Sequence, residues 1–183
     1  MATSANGFIA FTTARTTGPL PRLRKWRIPG ADRHLILRDG SVGFLLIHFA
    51  LWWHEKVNDL SRPGTVWDEW GWAFRPIRGQ TSGLSNHASG TAMDLDATAH
   101  PLGVPISRTF QAWQTAKIRA RIRFYRGILR WGGEWSRPDG MHIEIAPGVG
   151  LARCEKRARQ LMGTPRGKRI LAANPGAEKA IRA

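Results

Sequence analysis

The sequence predicts an α+β domain: a small, mainly antiparallel sheet with helices packed against it. Three observations carry that expectation. Short segments of strand composition are scattered between helical stretches, without the regular strand–helix alternation of a parallel sheet. Two of them, TAMDLDA (residues 91–97) and MHIEIA (141–146), alternate apolar and polar side chains as half-buried strands do. Finally, 183 residues with 42% hydrophobic content suffice for one core without disulfides, which the single cysteine, Cys154, excludes within the chain. Cys154 reads as a passive small residue.

Residues 1–30, rich in Thr, Gly, Pro and Arg, read as an irregular arm. HLILRD (34–39) has strand character. Residues 40–60, GSVGFLLIHFALWWHEKVNDL, read as a buried helix with Ser41 as N-cap and Arg62-Pro63-Gly64 stopping the chain beyond it. WGWAFRPI (70–77) reads as a strand broken at Pro76. A loop, AHPLGVPIS, leads to a helix from about Arg108 to Arg126, capped by Ser107 and closed by Gly127. ILRW and HIEIA read as strands flanking the turn-rich GGEWSRPDG. The organisation is therefore an arm (1–30), a central domain (31–150) and a basic helical tail (151–183).

The formal net charge of +15 favours a polyanionic partner: nucleic acid, an acidic membrane surface or an anionic cell wall. The stretch 151–183 alone carries nine Lys or Arg against two Glu, and KIRARIRFYRGILR adds a second basic band. No helix-turn-helix, zinc-finger or RNA-recognition signature accompanies them, so no specific nucleic-acid partner is expected. The most apolar run, VGFLLIHFALWW, is too short to span a bilayer and includes His48, so no membrane insertion is expected. The N-terminal residues lack a charged region followed by a long apolar core, so synthesis in the cytoplasm is expected.

The alternation of the two strand segments carries the chemistry. Met93, Leu95 and Ala97 share one face of the first, and Ala92, Asp94 and Asp96 the other. In the second, Met141, Ile143 and Ile145 oppose His142 and Glu144. Pairing the strands brings Asp94 to His142, and a short Gly-containing loop can fold His87 over both. Three N or O ligands with an open fourth position are the pattern of catalytic zinc, and mixed imidazole and carboxylate ligation favours that metal. Asp139, across the Gly140 turn, is placed to accept a proton from a water activated there, the apparatus for hydrolysing an amide. Gly90, Thr91 and Ala92 are expected to leave room for metal and substrate. The same residues also fit a solvated sheet face with ordinary surface histidines, since H-x6-D is a less specific spacing than H-E-x-x-H.

SNHASGTAMD resembles the S-x-H-x-x-G-x-A-x-D motif of the zinc peptidoglycan peptidases, a family that includes VanY-type D-Ala-D-Ala carboxypeptidases and phage endolysin L-alanyl-D-glutamate endopeptidases. WGGEW followed by PDGMHIEI resembles that family's second block. The resemblance runs from about Val42 to Pro147. It implies that 31–150 is a zinc peptidase domain in which His87, Asp94 and His142 hold Zn2+ and Asp139 is the general base. Many relatives carry Glu-x-Trp-His where this chain has Asp139-Gly140-Met141-His142, and the shorter carboxylate demands a closer approach to the water. Ser85, Arg75 and Arg78 are expected beside the substrate, and Trp135 as a cleft wall. Asp96 and Glu144 are candidates for orienting a ligand histidine. His34, His48, His54 and His100 match no motif position. The resemblance implies bacterial peptidoglycan as partner and release from the host cytoplasm to the wall. A monomer is expected, and cleavage of the L-Ala–D-Glu bond is favoured over the alternative, trimming of D-Ala, because lysis requires breaking cross-linked wall.

Overall fold

The computed structural model describes residues 1–61, 67–80 and 82–183. The expected stop at Arg62-Pro63-Gly64 lies outside them. The chain folds as one compact α+β unit. A hairpin of β1 (Leu23–Ile28) and β2 (Arg33–Arg38) precedes the central helix α1 (Ser41–Lys56). Then come β3 (Ala92–Asp94), α2 (Ile106–Thr109), α3 (Ala112–Phe124), β4 (Leu129–Trp131) and β5 (His142–Ile145). Helices α4 (Leu151–Met162), α5 (Pro165–Ala173) and α6 (Ala177–Arg182) complete the chain. Strands β3, β5 and β4 form an antiparallel sheet in that order, with Asp94 opposite His142 and Ala92 opposite Glu144.

Helix α1 is apolar on every face and buried from Ser41 to Trp53, as a helix at the centre of a core must be. Around it lie the hairpin and the C-terminal helices. Cys154, Ala158, Leu161, Ile170, Ala177 and Ile181 join the same core as Phe44, Leu45 and Ile47. The stretch 151–183 is helical as its sequence predicts, yet it is not an appendage. Its apolar stripe is what closes the core over α1, while its basic residues face outward. Among the described residues, no helix is long and apolar enough to cross a membrane.

Several local expectations need correction. The lead-in is not irregular through residue 30, because Leu23–Ile28 is a full strand paired with β2. WGWAFRPI is extended but forms only isolated bridges, Trp70 with Asp94 and Pro76 with Leu84, since Pro76 cannot donate to a ladder. Ser41 is the first helical residue rather than the cap, a position taken by Gly40, whose N–H donates to Asp39 Oδ1 at 2.8 Å. The helix expected from Arg108 is split at Phe110, which is extended. Gln111, not Ser107, caps α3 through a reciprocal box with Gln114. The helix ends at Phe124, before Arg126 and Gly127 turn into left-handed conformation.

The strand expected through Ala97 stops at Asp94. Asp96 has φ 49°, so the alternation is lost and its side chain leaves the face that Asp94 occupies. Gly90 does not leave room for a ligand. Its φ is 65°, and a Cβ there would stand 2.6 Å from Arg38 N and 2.7 Å from Leu23 Cδ2. The glycine is needed for the motif segment to pack against the hairpin, where Arg38 N–H donates to Gly90 O at 2.8 Å.

Candidate metal centre

His87 sits in a 3-10 turn, Asn86–Ser89, whose first N–H groups need a cap. Ser85 supplies it, with its Oγ accepting from His87 N–H at 3.3 Å. The turn delivers the imidazole onto the paired strands β3 and β5. There His87 Nε2 lies 3.2 Å from His142 Nδ1 and 3.3 Å from Asp94 Oδ1, and His142 Nδ1 lies 2.9 Å from Asp94 Oδ1. All three side chains are buried.

These edges can be tested against an ion. Zinc bonds of about 2.0–2.1 Å in a tetrahedron set ligand atoms about 3.3 Å apart. The observed triangle matches, and its two imidazoles and one carboxylate suit zinc by donor chemistry. The other ring nitrogens are committed in the sense a metal requires. His87 Nδ1–H donates to Gly71 O at 2.6 Å, and His142 Nε2–H donates to Glu144 Oε2 at 2.9 Å. In the neutral imidazole each bond leaves the converging nitrogen with its lone pair, the arrangement by which outer groups fix a ligand histidine.

Glu144 is itself held. Asn86 Nδ2 donates to its Oε2 at 2.6 Å, and Arg130 Nε pairs with its Oε1. Asn86 Oδ1 in turn accepts from Asn6 N–H at 2.9 Å, while Asn6 Nδ2 donates to Thr91 Oγ1 and to Ile145 O. A chain of buried hydrogen bonds therefore runs from residue 6 to a ligand histidine. Burial alone would raise Glu144, but its bonds to His142 and Asn86 and the Arg130 charge depress it to about 2. Burial would likewise lower His142, but without a metal the hydrogen bonds it donates to Asp94 and Glu144 outweigh burial and push the imidazole up to about 10. Asp94, also desolvated, is held far below the usual carboxylate range by His87 and His142.

His142 borders a cleft of about 360 Å³ that is also lined by Arg75, Arg78, Ser85, Trp135 and Asp139, among others, with His87 and Asp94 buried behind it. All four residues expected beside the substrate therefore line it. Trp135 packs against His142, ring centroids 5.2 Å apart, and the Arg130 guanidinium lies over the Trp135 ring at 5.0 Å from its centroid. Asp139 is 8% exposed, and among the described residues its Oδ1 has no hydrogen-bond partner. An orphaned carboxylate oxygen in a polar cleft is costly unless something arrives to use it. Burial raises its pKa, with Asp94 adding to the effect and His142 opposing it. Gly132 keeps Asp139 and His142 together: a Cβ there would lie 2.6 Å from Asp139 O and 3.2 Å from His142 Cβ.

Asp96 is the one orienting candidate that the structure places elsewhere. Its Oδ2 accepts from Trp53 Nε1 at 2.9 Å, and it joins Asp68 and Glu69 in a separate buried group. Sequence reasoning passed over Asn86, Arg130, Asn6 and the Gly71 carbonyl. Asn86 stands beside His87 inside the motif block and could have been found there. The others reach the site from distant segments and leave no local signal.

Residues 78–145 match the family model described as D-alanyl-D-alanine carboxypeptidase. The matched span contains His87, Asp94, Asp139 and His142, and leaves Arg75 just outside. Together with the site, this supports a metallopeptidase that acts on peptidoglycan. No curated protein and no solved structure matches the chain.

Proposed function

We propose that this chain is a zinc-dependent peptidoglycan peptidase that hydrolyses the L-Ala–D-Glu bond of the stem peptide, working as a monomeric phage endolysin made in the host cytoplasm and released to the wall. The observation that carries the catalytic reading is the 2.9–3.3 Å triangle of His87, Asp94 and His142 beside the orphaned Asp139 carboxylate. Zinc, when bound, acidifies a water and polarises the scissile carbonyl. Asp139 accepts the proton of the attacking water through its free Oδ1 and passes it to the leaving amine. Its raised affinity for a proton, from burial, suits that exchange better than a solvated aspartate would. Arg75 and Arg78, cations on the cleft wall, hold a substrate carboxylate and stabilise developing negative charge by charge-assisted hydrogen bonds. Ser85 caps the turn that carries His87 and borders the substrate, and Trp135 walls the cleft against His142.

The matched family description favours a second reading, removal of a terminal D-Ala. One experiment separates the two. Purified peptidoglycan is incubated with protein that has been stripped by chelator and reloaded with zinc, and the fragments are read by mass spectrometry. New amino termini on D-Glu, restored by zinc, are the expected result. Free D-Ala as the sole product establishes the carboxypeptidase, and no fragments with full metal loading refutes both.

A further inference from the structure

The strongest cationic feature outside the cleft lies across α1, α3 and α5. Two basins of about 340 and 470 Å³ share Arg121, Phe124 and Arg166 and so form one groove. Arg169 extends it on one side, Lys56 and Lys117 on the other. Among the described residues lining it there is no aspartate or glutamate. The nearest compensation is Glu55, one carboxylate that pairs with both Arg166 and Arg169.

Arg121 is the centre of the imbalance. Among the described residues it has no ion pair. Its Nη2 meets neutral groups, His48 Nδ1 at 2.9 Å and Tyr125 Oη at 3.3 Å, and its guanidinium lies 4.3 Å from the Phe124 ring centroid. Its Nε is buried without a hydrogen-bond partner. Burial, with Arg166 and Arg157 adding to it, makes the charge on this guanidinium costly, and the same three cations hold the desolvated His48 neutral. A bound anion relieves that repulsion.

We propose that this groove binds the phosphates of a phosphodiester-linked polyol polymer of the cell wall, with Arg121, Arg166 and Arg169 meeting one phosphate and Lys56 and Lys117 the next. The assignment to a wall polymer rests on the peptidase reading above. The groove's aromatic side chains, Trp52 and Phe124, argue against single-stranded nucleic acid, whose bases need free faces to stack on. Trp52, which also lines the groove, is buried, and the Phe124 ring is already engaged by Arg121 and by Arg157, 4.4 Å from its centroid. A polyol phosphate needs charge and a channel, which are what the groove supplies.

The test is equilibrium binding of the intact protein to purified poly(glycerol phosphate), which contains no stem peptide and so reports nothing about hydrolysis. Lys117→Gln with Arg169→Gln alters two exposed positions, and Arg121→Gln the central one. Each is expected to weaken polymer binding at least tenfold, and added salt to weaken the wild type. Should Arg121→Gln fail to fold, the surface pair decides. Unchanged binding in the variants overturns the proposal, as does tighter wild-type binding to duplex DNA or to phosphatidylglycerol vesicles at equal salt. Loss of peptidoglycan cleavage with polymer binding intact would count against the peptidase reading alone.

Discussion

Among the described residues, two buried trios could hold a cation by distance alone: His87, Asp94 and His142, and Asp68, Glu69 and Asp96. They differ in what surrounds them. In the first, outside partners bind the far side of each imidazole, and the near atoms are left to meet one another beside an open cleft. In the second, all three groups are carboxylates, and protein groups already meet each of them. Asp68 Oδ2 accepts from Thr98 N–H and Oγ1, Asp96 Oδ2 from Trp53 Nε1, and Glu69 Oε2 faces Arg33 Nε at 3.1 Å. Burial and its two carboxylate neighbours raise Glu69 to about 7, so this trio sheds charge by taking up a proton. Proximity of ligand atoms does not make a metal centre. Free lone pairs do, held in place from behind.

The contrast is broken most severely by removing a ligand. Asp94→Ala is expected to abolish zinc binding and turnover, measured by metal stoichiometry and fragment release, whereas Asp96→Ala should leave stoichiometry at that of the wild type. Next in size, Asp139→Ala should retain zinc and lose about 10²–10⁴-fold in kcat, the usual contribution of a positioned base. Persistent turnover would show that another group accepts the proton.

Smaller effects test the support. Glu144→Gln should weaken zinc affinity about 10–100-fold, the range for groups that orient a ligand. Asn6→Ala keeps the backbone N–H bond to Asn86 and loses only the side-chain bonds to Thr91 Oγ1 and Ile145 O, so it should weaken zinc affinity less, and competitive chelation can rank the two. Gly132→Ala should damage both Asp139 and His142 and so lower kcat and metal affinity together.

Proton linkage gives a further measurement. In the metal-free protein the folded-state pKa of His142 is raised above 6.5 to about 10. The stabilisation is fully present below about 6.5 and is lost as pH rises through 10, so thermal stability without metal should fall between pH 7 and 10. Because zinc needs the neutral imidazole, loading at pH 7 should release a proton to the buffer and should weaken as pH falls.

The parts of this site that were legible in the sequence are those encoded locally. His142 and Glu144 share a strand face because side chains alternate, and Asp94 meets His142 because both strands are short and apolar on one side. The C-terminal helices were read as a tail because their charge is conspicuous, while the stripe of Cys154, Ala158 and Leu161 that buries them is spread over turns. Asp96 was misplaced because a single left-handed residue ends the alternation. The partners that fix the ligands were invisible for a different reason: Gly71 contributes only a carbonyl, and Asn6 comes from the other end of the chain.

Anomalous diffraction at the zinc edge, on crystals grown with zinc, tests the central claim most directly. The account predicts a peak about 2.0–2.2 Å from His87 Nε2, Asp94 Oδ1 and His142 Nδ1. A peak at Asp68, Glu69 and Asp96 instead, or none between the two histidines, would contradict it.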